Sequence, residues 1–181
     1  MREIQLREAM LRDAGAVARV SVDSWRSTYR GLLPDELLAR LSYDQRADNF
    51  RRELRAPDRP FAYVAEDRGR VVGYAMAGRE RDSDPVYTGE LYALYILQHY
   101  QGRGIGRSLM SAVATRLAAD ERHAMLVWVL SNNPARGFYE SLGGKYLRAR
   151  PLDLGGAVVE EVAYGWPDTI KLRTLTPPRP Q

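Results

Sequence analysis

Gln101-Gly102-Arg103-Gly104-Ile105-Gly106-Arg107-Ser108 packs glycines and arginines together directly after an apolar run, Leu91-Tyr92-Ala93-Leu94-Tyr95-Ile96-Leu97. A helical pattern follows it. Glycines in such a turn let the backbone close on a ligand, and the amides of a helix N-terminus point at negative charge. The chemistry this suits is the holding of a pyrophosphate, and spacing decides which one. The pattern G-x-x-x-x-G-K-[ST] fails, because Gln101 stands at its first glycine and Arg107 at its lysine. The pattern G-x-G-x-x-G fails as well, because Gly102, Gly104 and Gly106 simply alternate and the loop sits mid-chain. The pattern Q/R-x-x-G-x-G/A is met in full by Gln101, Gly104 and Gly106.

That third pattern resembles the acetyl-CoA loop of the Gcn5-related N-acetyltransferases. A second stretch strengthens the resemblance. Asn132, Ala135, Phe138 and Tyr139 fill N-x-x-A-x-x-F/L-Y, and Leu142-Gly143 follow, as in the family's second signature. One departure is Gly144, where the family usually has Phe, so a core aromatic is expected to be missing. The resemblance runs over roughly residues 3 to 166. It implies acetyl-CoA as cofactor, held by the backbone at Tyr95, Ile96 and Leu97 and by the loop Gln101, Gly102, Arg103, Gly104, Ile105, Gly106, Arg107 and Ser108. One of the two arginines is expected to reach phosphate. Asn132 is implied to bind the pantetheine arm beside Ala135, and Tyr139 to meet the CoA sulfur. Strands splaying after Ile96 would leave backbone groups that a pantetheine amide can pair with like an added strand.

The chemistry then has definite needs. A primary amine with a pKa of about 10 must lose a proton before it attacks a thioester. The chain has no cysteine, so no thioacyl-enzyme can form, and direct attack in a ternary complex is favoured. Glu90, in an otherwise apolar strand, is the candidate base; burial there would raise its pKa toward a useful range. Histone-type members of the family carry a base at the same spacing before the motif glycine. Tyr139 is the candidate acid, since a phenol of pKa about 10 can protonate a thiolate whose thiol has a pKa near 8.5. Trp25 and Tyr29, four apart on one helix face, are the acceptor-binding candidates. The acceptor itself, a small molecule, polyamine or peptide amine, is not fixed by these residues. A non-catalytic acyl-CoA sensor on the same fold is the alternative, and retained Glu90 and Tyr139 argue against it.

Composition sets the outer bounds. A chain of 181 residues, 45% hydrophobic, is one domain with a real core. Without cysteine there are no disulfides and no thiolate metal sites, and His99 and His123 form no ligand pattern. The net charge of +4 suits a polyanionic small ligand, but the arginines are scattered, so no nucleic-acid partner is expected. No apolar run spans a membrane and no signal peptide is visible, so a cytoplasmic protein is expected; a homodimer is compatible with the sequence.

The elements that must position these residues follow from periodicity. Ile4 to Arg7 alternates as a strand, and Asp13 is the expected N-cap of a helix to about Tyr29. Pro34 opens a short helix, and Ser42 with Gln45 has the spacing of a capping box for another, to about Leu54. Phe61 to Ala65 and Arg70 to Ala77 read as a hairpin about Asp67-Arg68-Gly69, and Tyr87 to Leu97 as a central strand. After the loop comes an amphipathic helix, then a buried strand from Ala124 to Leu130. Asn133 is the expected cap of a helix with Pro134 in its first turn and Gly143-Gly144 at its end. Lys145 to Arg150 and Ala157 to Trp166 close the sheet. The expectation is a single α/β (α+β) domain over 1–168, with a mixed, mostly antiparallel sheet flanked by helices in the order β-α-α-β-β-β-α-β-α-β-β. Residues 169–181 are expected to form a flexible tail.

Overall fold

A computed structural model describes residues 4–58 and 60–175. Its seven-stranded sheet runs β1 (Gln5–Glu8), β2 (Phe61–Asp67), β3 (Arg70–Arg79), β4 (Gly89–Ile96), β5 (Met125–Leu130), β7 (Val158–Trp166) and β6 (Lys145–Asp153) across its width. Every neighbouring pair is antiparallel except β4 with β5. The mixed, mostly antiparallel α/β sheet read from the sequence is therefore what forms.

β2 and β3 join through Arg68 and Gly69, both at positive φ (54° and 76°), the backbone a two-residue hairpin turn requires. β3 is buried along nearly its whole length because helices cover both faces. Helix α1 (Ala14–Thr28) packs on α3 (Tyr43–Leu54) and against β3 and β4, with the short α2 (Asp35–Ala39) between them in sequence. Helix α4 (Ile105–Ala119) lies against β2, β3 and β4. Leu109, Met110, Val113, Ala114 and Leu117 give α4 its fully buried stripe, as their spacing predicts.

The caps divide. Ser42 Oγ accepts the Gln45 amide at 3.2 Å, as expected. Asp13 precedes α1 but its side chain makes no cap bond within the helix. Its carboxylate instead takes both Arg7 guanidinium nitrogens at 2.8 Å and the Met10 amide at 2.7 Å, tying β1 to the helix start. Helix α5 (Arg136–Ser141) begins two residues after Pro134, later than expected, because Asn133 makes a turn of its own: its Oδ1 accepts the Ala135 amide at 2.8 Å.

The chain also stays packed just past residue 168, where a flexible tail was expected. Thr169 donates its amide to the His123 carbonyl, and α6 (Ile170–Arg173) buries Leu172 completely against α4. Leu175 also packs on the core, so the chain is held against it past 168. Residues 176–181 of the expected tail lie outside the described residues.

Candidate active site

β4 pairs with β5 only from Gly89 to Leu91, opposite Met125 to Val127. Beyond that the two parallel strands part, well before the Ile96 position where the splay was expected. The cause lies in β4 itself. Met76 faces Ala93 while Ala77 faces Leu91, so Tyr92 is an extra residue, a bulge that bends the strand. Tyr92 anchors the bend by donating its hydroxyl to the Arg79 carbonyl at 2.5 Å.

Register fixes which backbone groups face the gap. Leu97 donates to Val72 across the β3 edge, and Tyr95, opposite Tyr74, lies on that same edge. Leu94 and Ile96 therefore face the gap. Of the three positions expected to offer backbone to the cofactor, Ile96 alone turns its backbone to the gap, and its carbonyl accepts Gln101 Nε2 at 3.0 Å.

Two cavities meet at this gap. One, about 440 Å³, is lined by the glycine loop, the start of α4 and the turn into α5. The other, about 600 Å³, is lined by α1, β4, β5 and the sheet's far end. Ile96, Asn133, Ala135 and Tyr139 border both.

The smaller cavity fits a pyrophosphate ligand. Gly104 caps α4 at φ +82°, where a Cβ is strained. Among the described residues, the amides of Gly102 through Arg107 find no acceptor, and the first helical return is Ser108 to the Gly104 carbonyl. Arg107 lines this cavity and makes no ion pair or hydrogen bond among the described residues. Arg103 is committed elsewhere, donating to the His99 carbonyl at 2.8 Å and lying over the Tyr100 ring. Gly106 departs from its expected role. A Cβ there would come within 3.0 Å of Phe138, so this glycine, which also lines the cavity, makes room for α5. Ser108 Oγ and Leu97 also stand back from the cavity, as does Asn132, which is exposed and reaches the Leu32 carbonyl at 3.5 Å.

Asn133, read from the sequence only as a helix cap, borders both cavities, where Asn132 borders neither. Asn133 Nδ2 donates to the Tyr29 hydroxyl at 2.6 Å, so one carboxamide ties the α5 turn to α1. Tyr29 is buried with Leu33, Leu38 and Leu130, and Trp25 packs against it at 4.9 Å between centroids, the rings tilted by 55°. Trp25 donates its indole N–H to the Tyr95 hydroxyl at 2.8 Å. Both acceptor candidates therefore line the larger cavity, with Tyr95 contributing its side chain there.

Tyr139 is 5% exposed, and no group among the described residues hydrogen-bonds its hydroxyl. Burial pushes its pKa well above the ordinary value, with Tyr95 and Tyr29 adding to the shift. Glu90, 1% exposed, is not the lone carboxylate its apolar strand suggested. Arg81 clamps it from Nη2 at 2.5 Å and Nε at 3.1 Å, and adds its backbone amide at 3.2 Å. The arginine comes from the turn after β3, and nothing local to β4 announces it.

Gly144 resolves the missing aromatic. A Cβ at this position would lie 2.6 Å from Trp166 and 2.9 Å from the Tyr139 carbonyl. The Trp166 indole, donating to the Leu142 carbonyl at 2.9 Å and 6.2 Å from the Tyr139 ring, fills the space from β7.

The model of the acetyltransferase (GNAT) family matches residues 22–144. An uncharacterised N-acetyltransferase of Bacillus subtilis, YuaI, is 36% identical over 174 residues, covering 95% of this chain and 98% of the relative. Among solved structures, the PaiA N-acetyltransferase of Thermoplasma acidophilum in complex with coenzyme A superposes with a TM-score of 0.70 at 18% identity, covering 90% of this chain and 98% of that one. YncA of Salmonella typhimurium with acetyl-CoA gives 0.66 at 23% identity, covering 91% and 93%. The family match runs from mid-α1 to the glycine beneath Trp166 and so takes in the whole lining of the smaller cavity and all of the larger one except its β6–β7 side; the chain belongs to the GNAT family of acetyl-CoA-dependent N-acetyltransferases.

Proposed function

We propose that this enzyme moves an acetyl group directly onto a primary amine in a ternary complex, the amine entering from the larger cavity and the pantetheine arm from the smaller. The observation that carries the reading is their junction at Ile96 and Tyr139, behind a row of unmatched amides. Acetyl-CoA supplies the activated thioester. The amides from Gly102 to Arg107, with the Arg107 guanidinium, would hold the pyrophosphate. The Ile96 edge of β4 would align the pantetheine.

The amine's proton has a candidate carrier, and the departing sulfur a candidate hydrogen-bond donor. The Glu90 carboxylate, held by Arg81 at the wall of the larger cavity, accepts the amine's proton through water. Tyr139 keeps its own proton tightly because burial raises its pKa. Its hydroxyl therefore serves the departing sulfur chiefly by donating a hydrogen bond as negative charge develops there. Asn133 and Tyr29 hold α1 against the α5 turn, so the two halves keep one relative position.

The test has two parts. Acetyl-CoA at 100 times its dissociation constant should stabilise the protein by about 2.7 kcal/mol, with ATP and NAD far behind. Free CoA thiol should appear with an amine panel, and initial-rate plots should intersect, as a ternary complex requires. Equal protection by ATP, or parallel plots, would defeat the reading.

A further inference from the structure

We propose that the acceptor is a small amine that also carries a carboxylate, and that Arg46 is its anchor. The proposal rests on the acetyltransferase reading and specifies the half of the site which that reading leaves open.

The charged residues lining the larger cavity are Arg46, Arg81, Arg150, Asp82, Glu90 and Glu161. Their formal charges cancel, but their pairing is uneven. Arg81 holds Glu90. Arg150 holds Glu161 at 2.6 Å and also takes Asp82. Arg46 is left over, with no ion pair or side-chain hydrogen bond among the described residues. Glu53, two turns further along α3, feels its charge but is not bonded to it and does not line the cavity.

Arg46 is also well held. It is half-buried, and its guanidinium lies 5.5 Å from the Trp25 ring centroid, while Trp25 is fixed by its bond to Tyr95. The charge is felt inside the site: burial raises the Tyr74 and Tyr95 phenols, and Arg46 opposes that rise. A half-buried guanidinium without a counterion is costly, and its planar fork matches a carboxylate in a two-point bond. Ser24, whose buried hydroxyl has no partner among the described residues, lines the same wall. A polyamine would bring further positive charge to a cavity whose one uncommitted charge is already positive. The polyamine option among the expected acceptors is therefore disfavoured.

The experiment compares leucine, leucinamide and isopentylamine, with γ-aminobutyrate and spermidine, by release of free CoA thiol. The expected result is a kcat/KM for a carboxylate-bearing amine at least about tenfold above that of its amide and of spermidine. In Arg46→Gln this preference should fall to within about threefold of unity, through KM for the amine, with KM for acetyl-CoA unmoved. Arg46→Lys, which keeps the charge without the fork, should fall between. Spermidine or the neutral amines as best acceptors, or a preference that survives in Arg46→Gln, would overturn the anchor while leaving the transferase standing. No turnover of any amine, with no protection by acetyl-CoA, would overturn both.

Discussion

Tyr139 keeps its ring packed between Phe138 and Trp166, at centroid distances of 5.4 and 6.2 Å, and leaves its hydroxyl without a partner among the described residues. Tyr139→Phe should therefore keep the packing and remove only the donor aimed at developing charge. We expect kcat to fall by about 10²–10³, the usual loss for one such donor, with KM for acetyl-CoA within about twofold of wild type. Steady-state kinetics on one active amine decide it, and a kcat within about twofold of wild type would remove Tyr139 from the reaction. At this scale the sequence was partly legible. Tyr139 and Glu90 stood out because a motif and an apolar strand framed them. Arg81 did not, since its pairing with Glu90 depends on a turn across the sheet. Asn133 and Asn132 differ only in which of them the Ala135 turn points toward Tyr29. No local pattern encodes that choice.

The junction of α5, β6 and β7 shows how elements trade side chains. Where the family resemblance implies Phe at position 144, this chain has glycine and sends Trp166 across from β7. Gly144→Ala would press a methyl 2.6 Å from the indole and 2.9 Å from the Tyr139 carbonyl, and the backbone oxygen cannot yield as a side chain can. Such overpacking costs about 1–3 kcal/mol. Trp166→Phe should cost stability alone, yet relieve part of the Gly144→Ala penalty, leaving a favourable coupling in a double-mutant cycle read by urea denaturation. Strict additivity would mean that the indole does not occupy the space. The existence and order of the elements as far as β7 were legible from periodicity and turn residues, because each element's own residues encode it; α6, read as part of a flexible tail, was not. The bulge at Tyr92 was not: it appears only as a mismatch between two strands, Met76 with Ala93 and Ala77 with Leu91. That mismatch moves the splay toward the strand's start and turns the Tyr95 backbone away from the gap.

On the scale of the whole molecule, the sheet's first edge is tied down by charge. Arg7 on β1 joins Asp13 at the start of α1 and the distant Glu66 on β2, so one guanidinium links three elements. The Arg7 hydrogen bonds hold the Asp13 carboxyl below the usual carboxylate range, against the opposing effect of burial, and the Met10 amide assists. A depressed acid stabilises the fold wherever the unfolded chain would already be ionised, above about pH 4, and loses that contribution as pH falls through its folded value. Asp13→Asn keeps the shape and drops the charge. It should cost about 1–3 kcal/mol at pH 7, the range for a hydrogen bond to a charged group, because Arg7 retains Glu66 as one partner. The gap between variant and wild type should stay constant from about pH 7 to 5 and narrow below about pH 4. Urea denaturation at several pH values reads it directly. A gap that stays the same width at pH 3 would mean that Asp13 acts through its shape and its bond to Met10, with its charge contributing nothing to the tie between β1 and the helical layer.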